Sequence, residues 1–107
     1  MMLQSSPSVT ITGSTFKDNQ AKNGGVIKNN SSTTSMKIED STFETNRASG
    51  SGGVLYQQDG NRADLTNCTF TGNTATTGNA IHSVGGKVYL TGGNIQAADC
   101  SGNYVIQ

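Results

Sequence analysis

Residues 38–55 read IEDSTFETNRASGSGGVL, and three other parts of the chain repeat this pattern. Residues 11–27 read ITGSTFKDNQAKNGGVI, and residues 65–81 read LTNCTFTGNTATTGNAI. A more divergent copy at residues 90–105 reads LTGGNIQAADCSGNYV. Because self-similarity at a fixed period is typical of repeat proteins, we interpret the chain as a stack of four related units.

The spacing of apolar residues divides each copy into a rigid part and a variable part. The aliphatic anchors of the four copies lie 27, 27 and 25 residues apart, at Ile11, Ile38, Leu65 and Leu90. Each anchor is followed five residues later by a second apolar residue, at Phe16, Phe43, Phe70 and Ile95. A fixed short step is typical of packed structure, whereas length variation is typical of surface loops.

The residue types favour strands over helices in every copy. Gly, Ser, Thr and Asn dominate the repeats, and these residues disfavour helix interiors. Apolar residues alternate with polar ones, as at Val9 and Ile11 or at Val88 and Leu90, which is the period of a strand. The pattern predicts an all-β fold, a parallel β-helix of about four coils with three short strands in each coil. The general preference of parallel crossovers predicts that this β-helix is right-handed.

In a parallel β-helix, equivalent residues of successive coils stack about 4.8 Å apart, so each column of the repeat predicts a ladder. The first ladder contains Phe16, Phe43, Phe70 and Ile95, and the second contains Ile11, Ile38, Leu65 and Leu90. The third contains Ile27, Leu55, Ile81 and Val105, and an amide ladder contains Asn19, Asn46 and Asn73. We also expect a column of small residues at Ala21, Ala48, Ala75 and Cys100. Unusual backbone angles are expected at Gly24, Gly52 and Gly78.

The combination of Phe-x-x-Asn with Gly-Gly-aliphatic-aliphatic resembles the repeats of the chlamydial polymorphic membrane proteins and related β-helical surface proteins. The resemblance covers nearly the whole chain, although the fourth copy lacks both the Phe and the Asn. It implies a pectin-lyase-like β-helix that belongs to an extracellular or cell-surface protein. The family's transporter barrel and signal peptide are not found in this sequence.

We expect one β-helix segment over residues 1–107, with coils at residues 9–35, 36–62, 63–87 and 88–107. Residues 1–8 are expected to end a preceding coil. Apolar content of 32 % is low for a conventional core but sufficient for a narrow bore. Because neither end carries a helix or a polar cap, we expect part of a longer solenoid. End-to-end stacking into a fibre and a self-capped monomer remain the alternatives.

The net charge and the length of the apolar runs give no support for two classes of partner, nucleic acid and the membrane interior. The formal net charge is zero, so the sequence gives no electrostatic case for nucleic acid, and no apolar run is long enough to span a membrane. The expected partners are further β-helix coils, from the same chain or by self-association, with glycans as a second candidate.

No catalytic or metal-binding constellation is predicted. His82, the single histidine, follows Ile81 and should point outward. The carboxylates are scattered, and the nearest approach to a cluster is Asp40 and Glu44 with Arg47. We therefore expect no enzyme activity, no cofactor and no metal.

Cysteine and asparagine residues leave two questions open. Cys68 and Cys100 are expected to be unpaired structural thiols, with a disulfide as the alternative. N-glycosylation sequons occur at Asn29, Asn30 and Asn67, although short sequons also arise by chance in an Asn- and Thr-rich chain.

The sequence as a whole predicts a non-enzymatic structural or adhesive segment, such as a rigid stalk or fibre building block. The alternative is a non-catalytic part of a carbohydrate-binding or polysaccharide-degrading β-helix protein.

Overall fold

The molecule is built almost entirely from short strands. A computed structural model describes residues 2–3, 8–29, 35–58 and 62–107. Its strands, β1 to β13 in chain order, are Met2–Leu3, Ser8–Thr12, Thr15–Lys17, Gln20–Ala21, Ile27–Asn29, Ser35–Glu39, Thr42–Glu44, Arg47–Ala48, Leu55–Gln57, Arg62–Thr66, Thr69–Thr71, Ile81–Thr91 and Cys100–Ile106. A 3-10 helix spans Ala97–Asp99, and the described residues contain no α-helix.

Among the described residues, three parallel sheets run along the axis of the molecule. The largest has the order β1-β5-β9-β12-β10-β6-β2, and β13 pairs with β12. The second has the order β11-β7-β3, and the third pairs β4 with β8. All pairs are parallel, and each joins a strand to its counterpart in the next copy of the repeat. The predicted parallel β-helix is therefore confirmed, while its right-handedness stays a prediction.

The core is a narrow bore lined by every second residue of the strands. In β6 and β10 the second and fourth residues are buried while their neighbours are more exposed. This alternation follows from the pleat of a strand, which sends successive side chains to opposite faces. The most deeply buried apolar side chains, at most 1 % exposed, are Ile27, Met36, Ile38, Phe43, Val54, Leu55, Ala63, Ile81 and Val88.

The coils turn at corners whose backbone is left-handed. One corner column contains Gly13, Asp40, Asn67 and Gly92, with φ between 52° and 67°. A second contains Asp18, Thr45 and Gly72, with φ of 58°, 55° and 65°. Gly, Asn and Asp tolerate this conformation best, so Thr45 is the residue that fits its corner least well.

Close contact between coils explains the second glycine of the Gly-Gly pairs. A Cβ on Gly25 would clash with the carbonyl oxygen of Gly53, and a Cβ on Gly53 would clash with that of Asn79. The third copy has Asn79 at this position. Asn79 is exposed, whereas Gly25 and Gly53 are buried, so a side chain has room at this position.

The fourth coil, which was predicted at residues 88–107, contains fewer residues than expected. Leu90 pairs with Ile106, only 16 residues later, and Ile81 pairs with Cys100. The predicted position of Val105 in the ladder of Ile27, Leu55 and Ile81 is therefore wrong, because Val105 pairs with Tyr89. Cys100 takes that place instead and does not continue the alanine column.

Candidate functional site

The phenylalanine ladder forms the centre of the bore. Phe16, Phe43 and Phe70 face one another across β3, β7 and β11. Their ring centroids are 5.3 Å and 5.2 Å apart, with interplanar angles of 7° and 16°. Such separations are typical of stacked rings, so each pair adds attraction beyond the burial of its area. Ile95, 8 % exposed, packs in the same core cluster.

One aliphatic ladder follows its predicted column through all four copies, and the other follows its column through three. Ile11, Ile38, Leu65 and Leu90 are register partners in successive strands of the large sheet. Ile27, Leu55 and Ile81 are likewise partners. Ile11 is half-buried, whereas the others are almost completely buried, because the bore is least covered at the first coil.

The asparagine ladder joins successive coils at an inward turn. The backbone N–H of Asn19 donates to Oδ1 of Asn46 at 3.1 Å, and that of Asn46 donates to Oδ1 of Asn73 at 2.9 Å. The side-chain Nδ2 of Asn46 also donates to the Phe16 carbonyl at 3.0 Å, and Nδ2 of Asn73 donates to the Phe43 carbonyl at 3.0 Å. These amides pair polar backbone groups that the turn would otherwise leave without partners.

A second polar ladder was missed by the sequence reasoning. Asn29, Gln57 and Ser83 are register partners, and all three side chains are at most 1 % exposed. Nδ2 of Asn29 donates to Oε1 of Gln57 at 3.3 Å. The available signal was position, because each of these residues lies two places after a buried aliphatic residue and therefore faces the same side of its strand.

The three sequons have different environments. Asn30 lies outside the described residues. Asn29 is a wrong glycosylation candidate for the folded chain, because its side chain is fully buried beside Gln57. Asn67 is exposed at a corner of the third coil, with a φ of 53°, so its glycosylation stays a prediction.

Both thiols are free, so the disulfide alternative is wrong. Cys68 is buried, and its Sγ lies 3.6 Å from the Thr66 carbonyl oxygen, in a contact like that of Ser41 Oγ with the Glu39 carbonyl. Burial raises the pKa of the Cys68 thiol. Burial, and secondarily the carboxylate of Asp99, raises the pKa of the Cys100 thiol to about 12.

In the part of the chain that the structure describes, the charged side chains lie singly or in pairs. Arg62 donates to both carboxylate oxygens of Asp64 at 3.0 and 3.1 Å, which raises the pKa of Arg62, and its guanidinium lies 3.9 Å from the Tyr89 ring centroid. Lys37 Nζ lies 3.8 Å from Glu39. Within the described ranges, no three His, Cys, Asp or Glu residues are grouped so that they could hold a metal ion.

An outward column of the large sheet carries two stacked rings. Tyr56 and His82 are register partners, with ring centroids 5.5 Å apart and an interplanar angle of 10°. Lys28, the partner of Tyr56 in the preceding coil, places Nζ 6.0 Å from the tyrosine ring centroid. All three side chains are half-buried, as expected for an outward column whose neighbours partly cover it.

A shallow groove runs along the third sheet. It consists of two adjoining depressions of about 370 and 400 Å³, and its lining residues are Gln20, Ala21, Arg47, Ala48, Ser49, Thr74, Ala75 and Thr76. Of these lining residues, only Arg47 is ionisable. The predicted approach of Asp40 and Glu44 to Arg47 does not place either carboxylate in the lining of this groove.

The lining of the groove combines small alanine side chains with side-chain hydroxyls, one amide and one guanidinium. The backbone beneath the groove is already paired between coils, since Arg47 N donates to the Asn19 carbonyl at 2.8 Å and Ala48 N to the Thr74 carbonyl at 3.0 Å. These two bonds join the second coil to the first and third coils, so the backbone N–H groups of Arg47 and Ala48 are already paired.

Comparison with known protein families found a match to the repeat itself. The model of the Chlamydia polymorphic membrane protein repeat matches residues 40–58 and 67–84. These two ranges contain the Phe-x-x-Asn and glycine-aliphatic motifs of the second and third copies, so the resemblance seen in the sequence is confirmed there. Searches among curated proteins and among solved structures gave no match.

Proposed function

We propose that this chain is a non-enzymatic structural or adhesive segment of a surface-exposed protein, where it acts as a rigid spacer. The observation that carries the proposal is the continuous register of the large sheet, in which β2, β6, β10 and β12 pair residue by residue. Because every coil is hydrogen-bonded to the next, bending or stretching the stack requires breaking whole ladders.

The proposed location at the cell surface rests on the repeat match. The matched repeat is named after a family of membrane proteins. In the part of the chain that the structure describes, no helix is both long and apolar enough to cross a membrane.

Protease treatment of intact cells tests the location. Antibodies raised against the folded chain would follow the protein in its source cells before and after the treatment, with a cytosolic enzyme as the control. We expect loss of the antibody signal while the cytosolic enzyme survives. A signal that disappears only after lysis would contradict the proposal.

Single-molecule pulling tests the rigid spacer. We expect the folded chain, held at its two ends, to resist extension until it unfolds in discrete steps. A chain that extends gradually at low force would not be a rigid spacer, whatever its location.

The alternative function is the binding of an acidic glycan, and the groove of the third sheet favours it. Its small alanine side chains leave room for a linear chain, its hydroxyls suit sugar hydroxyls, and Arg47 suits a carboxylate or sulfate group. Polar side chains with one cation are typical of such sites, and a peptide strand would instead seek a free backbone edge.

Binding of uronate-containing and sulfated oligosaccharides, with neutral ones for comparison, tests this alternative. We expect R47A to lose binding while K37A, which lies outside the groove, retains it. Equal binding by both variants would remove the groove as a site. Release of new reducing ends during incubation would instead contradict the proposal that the chain is not an enzyme.

We further propose that additional coils pair with this segment at the strand edges of its first coil. In the described part of the chain, β2, β3 and β4 are edge strands. The bore residues beside them, Val9, Ile11 and Phe16, are only half-buried. A preceding coil would pair these edges and complete the burial of the bore.

A further inference from the structure

Beyond the spacer role, the structure assigns a distinct task to two asparagines that no repeat column predicted. We propose that the side-chain amides of Asn94 and Asn79 close the short strands of the third coil against the addition of another strand. The partner that they exclude is an extended backbone, whether it comes from a further full-size coil or from another copy of the chain.

Asn94 occupies the free side of β11. This strand is the edge of its three-stranded sheet. Phe70 N donates to Asn94 Oδ1 at 2.7 Å, and Asn94 Nδ2 donates to the Phe70 carbonyl oxygen at 3.0 Å. One amide therefore satisfies both backbone groups of Phe70, as a neighbouring strand would do.

The bond from Asn94 to the Phe70 carbonyl resembles the bonds of the regular asparagine ladder, although Asn94 lies at a different position in its coil. In the ladder, Asn46 donates to the Phe16 carbonyl and Asn73 donates to the Phe43 carbonyl, both 30 residues away. Asn94 makes the corresponding bond to Phe70, which is only 24 residues away. The separation is shorter because Asn94 lies four residues after the anchor Leu90, whereas Asn73 lies eight residues after the anchor Leu65.

Two glycines bring Asn94 into reach. Gly92 and Gly93 have φ of 67° and 75°, and a Cβ on Gly93 would clash with the carbonyl oxygen of Cys68. Any other residue at position 93 would push this segment away from the third coil, and Asn94 would then lose its contact with Phe70.

The side chain of Asn79 accepts a hydrogen bond from a second backbone N–H of the same coil. In the second coil, Ala48 N donates to the Thr74 carbonyl of the coil that follows. The equivalent group of the third coil, Ala75 N, donates to Asn79 Oδ1 at 3.1 Å. The side chain of Asn79 therefore replaces the backbone of a following coil, and strand addition on this side is left to the outer edge of β13.

Amide hydrogen exchange measured by NMR on the intact chain tests the contacts directly. We expect N94A to accelerate exchange of the Phe70 amide at least about tenfold, because its acceptor is removed. The Thr69 amide, which donates to the Ser41 carbonyl at 2.9 Å, should be unchanged and reports that the coil remains folded. N94D keeps Oδ1 and should protect the Phe70 amide better than N94A does.

Sedimentation tests the consequence for association. We expect the double variant N94A/N79G to associate as concentration rises under conditions where the parent chain does not. N103A removes another exposed asparagine of the fourth coil and should behave like the parent. Unchanged Phe70 exchange in N94A, or a double variant that sediments like the parent chain, would overturn the proposal.

Discussion

Single asparagine side chains connect neighbouring coils at the scale of the residue. Asn46 is fully buried, and its Oδ1 accepts hydrogen bonds from both the backbone and the side chain of Asn19. Its own Nδ2 donates to Phe16 and to Asn73. One side chain thus links the first, second and third coils, and an unpaired polar group would be left at each broken contact.

Replacing Asn46 by alanine should therefore be strongly destabilising. We expect N46A to lower the free energy of unfolding by about 3 kcal/mol, since several buried polar groups lose their partners at roughly 1 kcal/mol or more each. Urea denaturation followed by circular dichroism measures the change. N103A, with an exposed amide, should change stability by less than about 0.5 kcal/mol. Equal losses in the two variants would contradict a structural role for the ladder.

Thiol reactivity gives a second prediction for single residues. Because burial raises the pKa of Cys100 to about 12, its thiol stays protonated through the range in which an ordinary cysteine ionises. The folded state therefore gains stability relative to the unfolded chain below the ordinary thiol pKa and loses it as the pH rises toward 12.

Alkylation by iodoacetamide at pH 8.5 measures this protection. We expect Cys100 in the folded chain to react roughly a thousand times more slowly than in urea, in proportion to its smaller thiolate fraction. Cys68, whose thiol pKa is also raised by burial, should be protected as well. Equal rates in the folded and the unfolded chain would show that the thiols are accessible as thiolates.

At the scale of the element, corners and strands differ in what they require. Strands β7 and β11 hold stacked residues in register, whereas the corners between strands require left-handed backbone. Thr45 occupies such a corner with φ of 55°, where the next coil has Gly72. A β-branched residue is costly in this conformation, so this corner is not optimal for stability.

Replacing Thr45 by glycine should stabilise the protein. We expect T45G to raise the free energy of unfolding by about 1 kcal/mol, because relief of the left-handed strain exceeds the added chain entropy. Thermal unfolding measures the shift. The matched control is T42G in β7, where glycine weakens an extended strand and should lower stability by about 0.5–1 kcal/mol. A destabilised T45G would mean that the threonine makes contacts that outweigh its strain.

The regular elements could be predicted because their residues recur at fixed spacing. The step from Ile11 to Phe16 has the same length in every copy, so the ladders through the third coil follow from counting. The fourth copy keeps this step as far as Ile95, yet Ile106 pairs with Leu90 and Val105 leaves its predicted column. Spacing alone could not reveal that the return of this coil is cut short.

One position in the repeat indicates that the fourth coil differs from the others. The repeat has glycine at positions 25 and 53, where a following coil leaves no room for a Cβ. The equivalent position of the third copy is Asn79.

The polar ladder of Asn29, Gln57 and Ser83 was not predicted for a different reason. Polar side chains are mostly exposed, so their residue types gave no reason to expect burial. In the structure Asn29 Nδ2 donates to Gln57 Oε1, and Ser83 Oγ donates to the Gly85 carbonyl oxygen.

At the scale of the whole molecule, stability should be shared mainly between adjacent coils. The coils contact their neighbours through ladders, and Phe43 touches both Phe16 and Phe70. Ile95 lies three coils from Phe16, about 14 Å along the axis at about 4.8 Å for each step. A stack of this kind should behave as a chain of nearest-neighbour interactions.

Double-mutant cycles test this arrangement through the free energy of unfolding in urea. We expect F16L and F43L to be coupled by about 0.5–1.5 kcal/mol, because each removes one ring of the same stacked pair. F16L and I95V should instead add to within about 0.5 kcal/mol, since no contact is shared across the intervening coils. Leucine and valine keep the bore filled, so the variants should still fold. Coupling between positions 16 and 95 as large as that between 16 and 43 would mean that the molecule responds as one undivided core. That result would contradict a description of stability by nearest-neighbour interactions between coils.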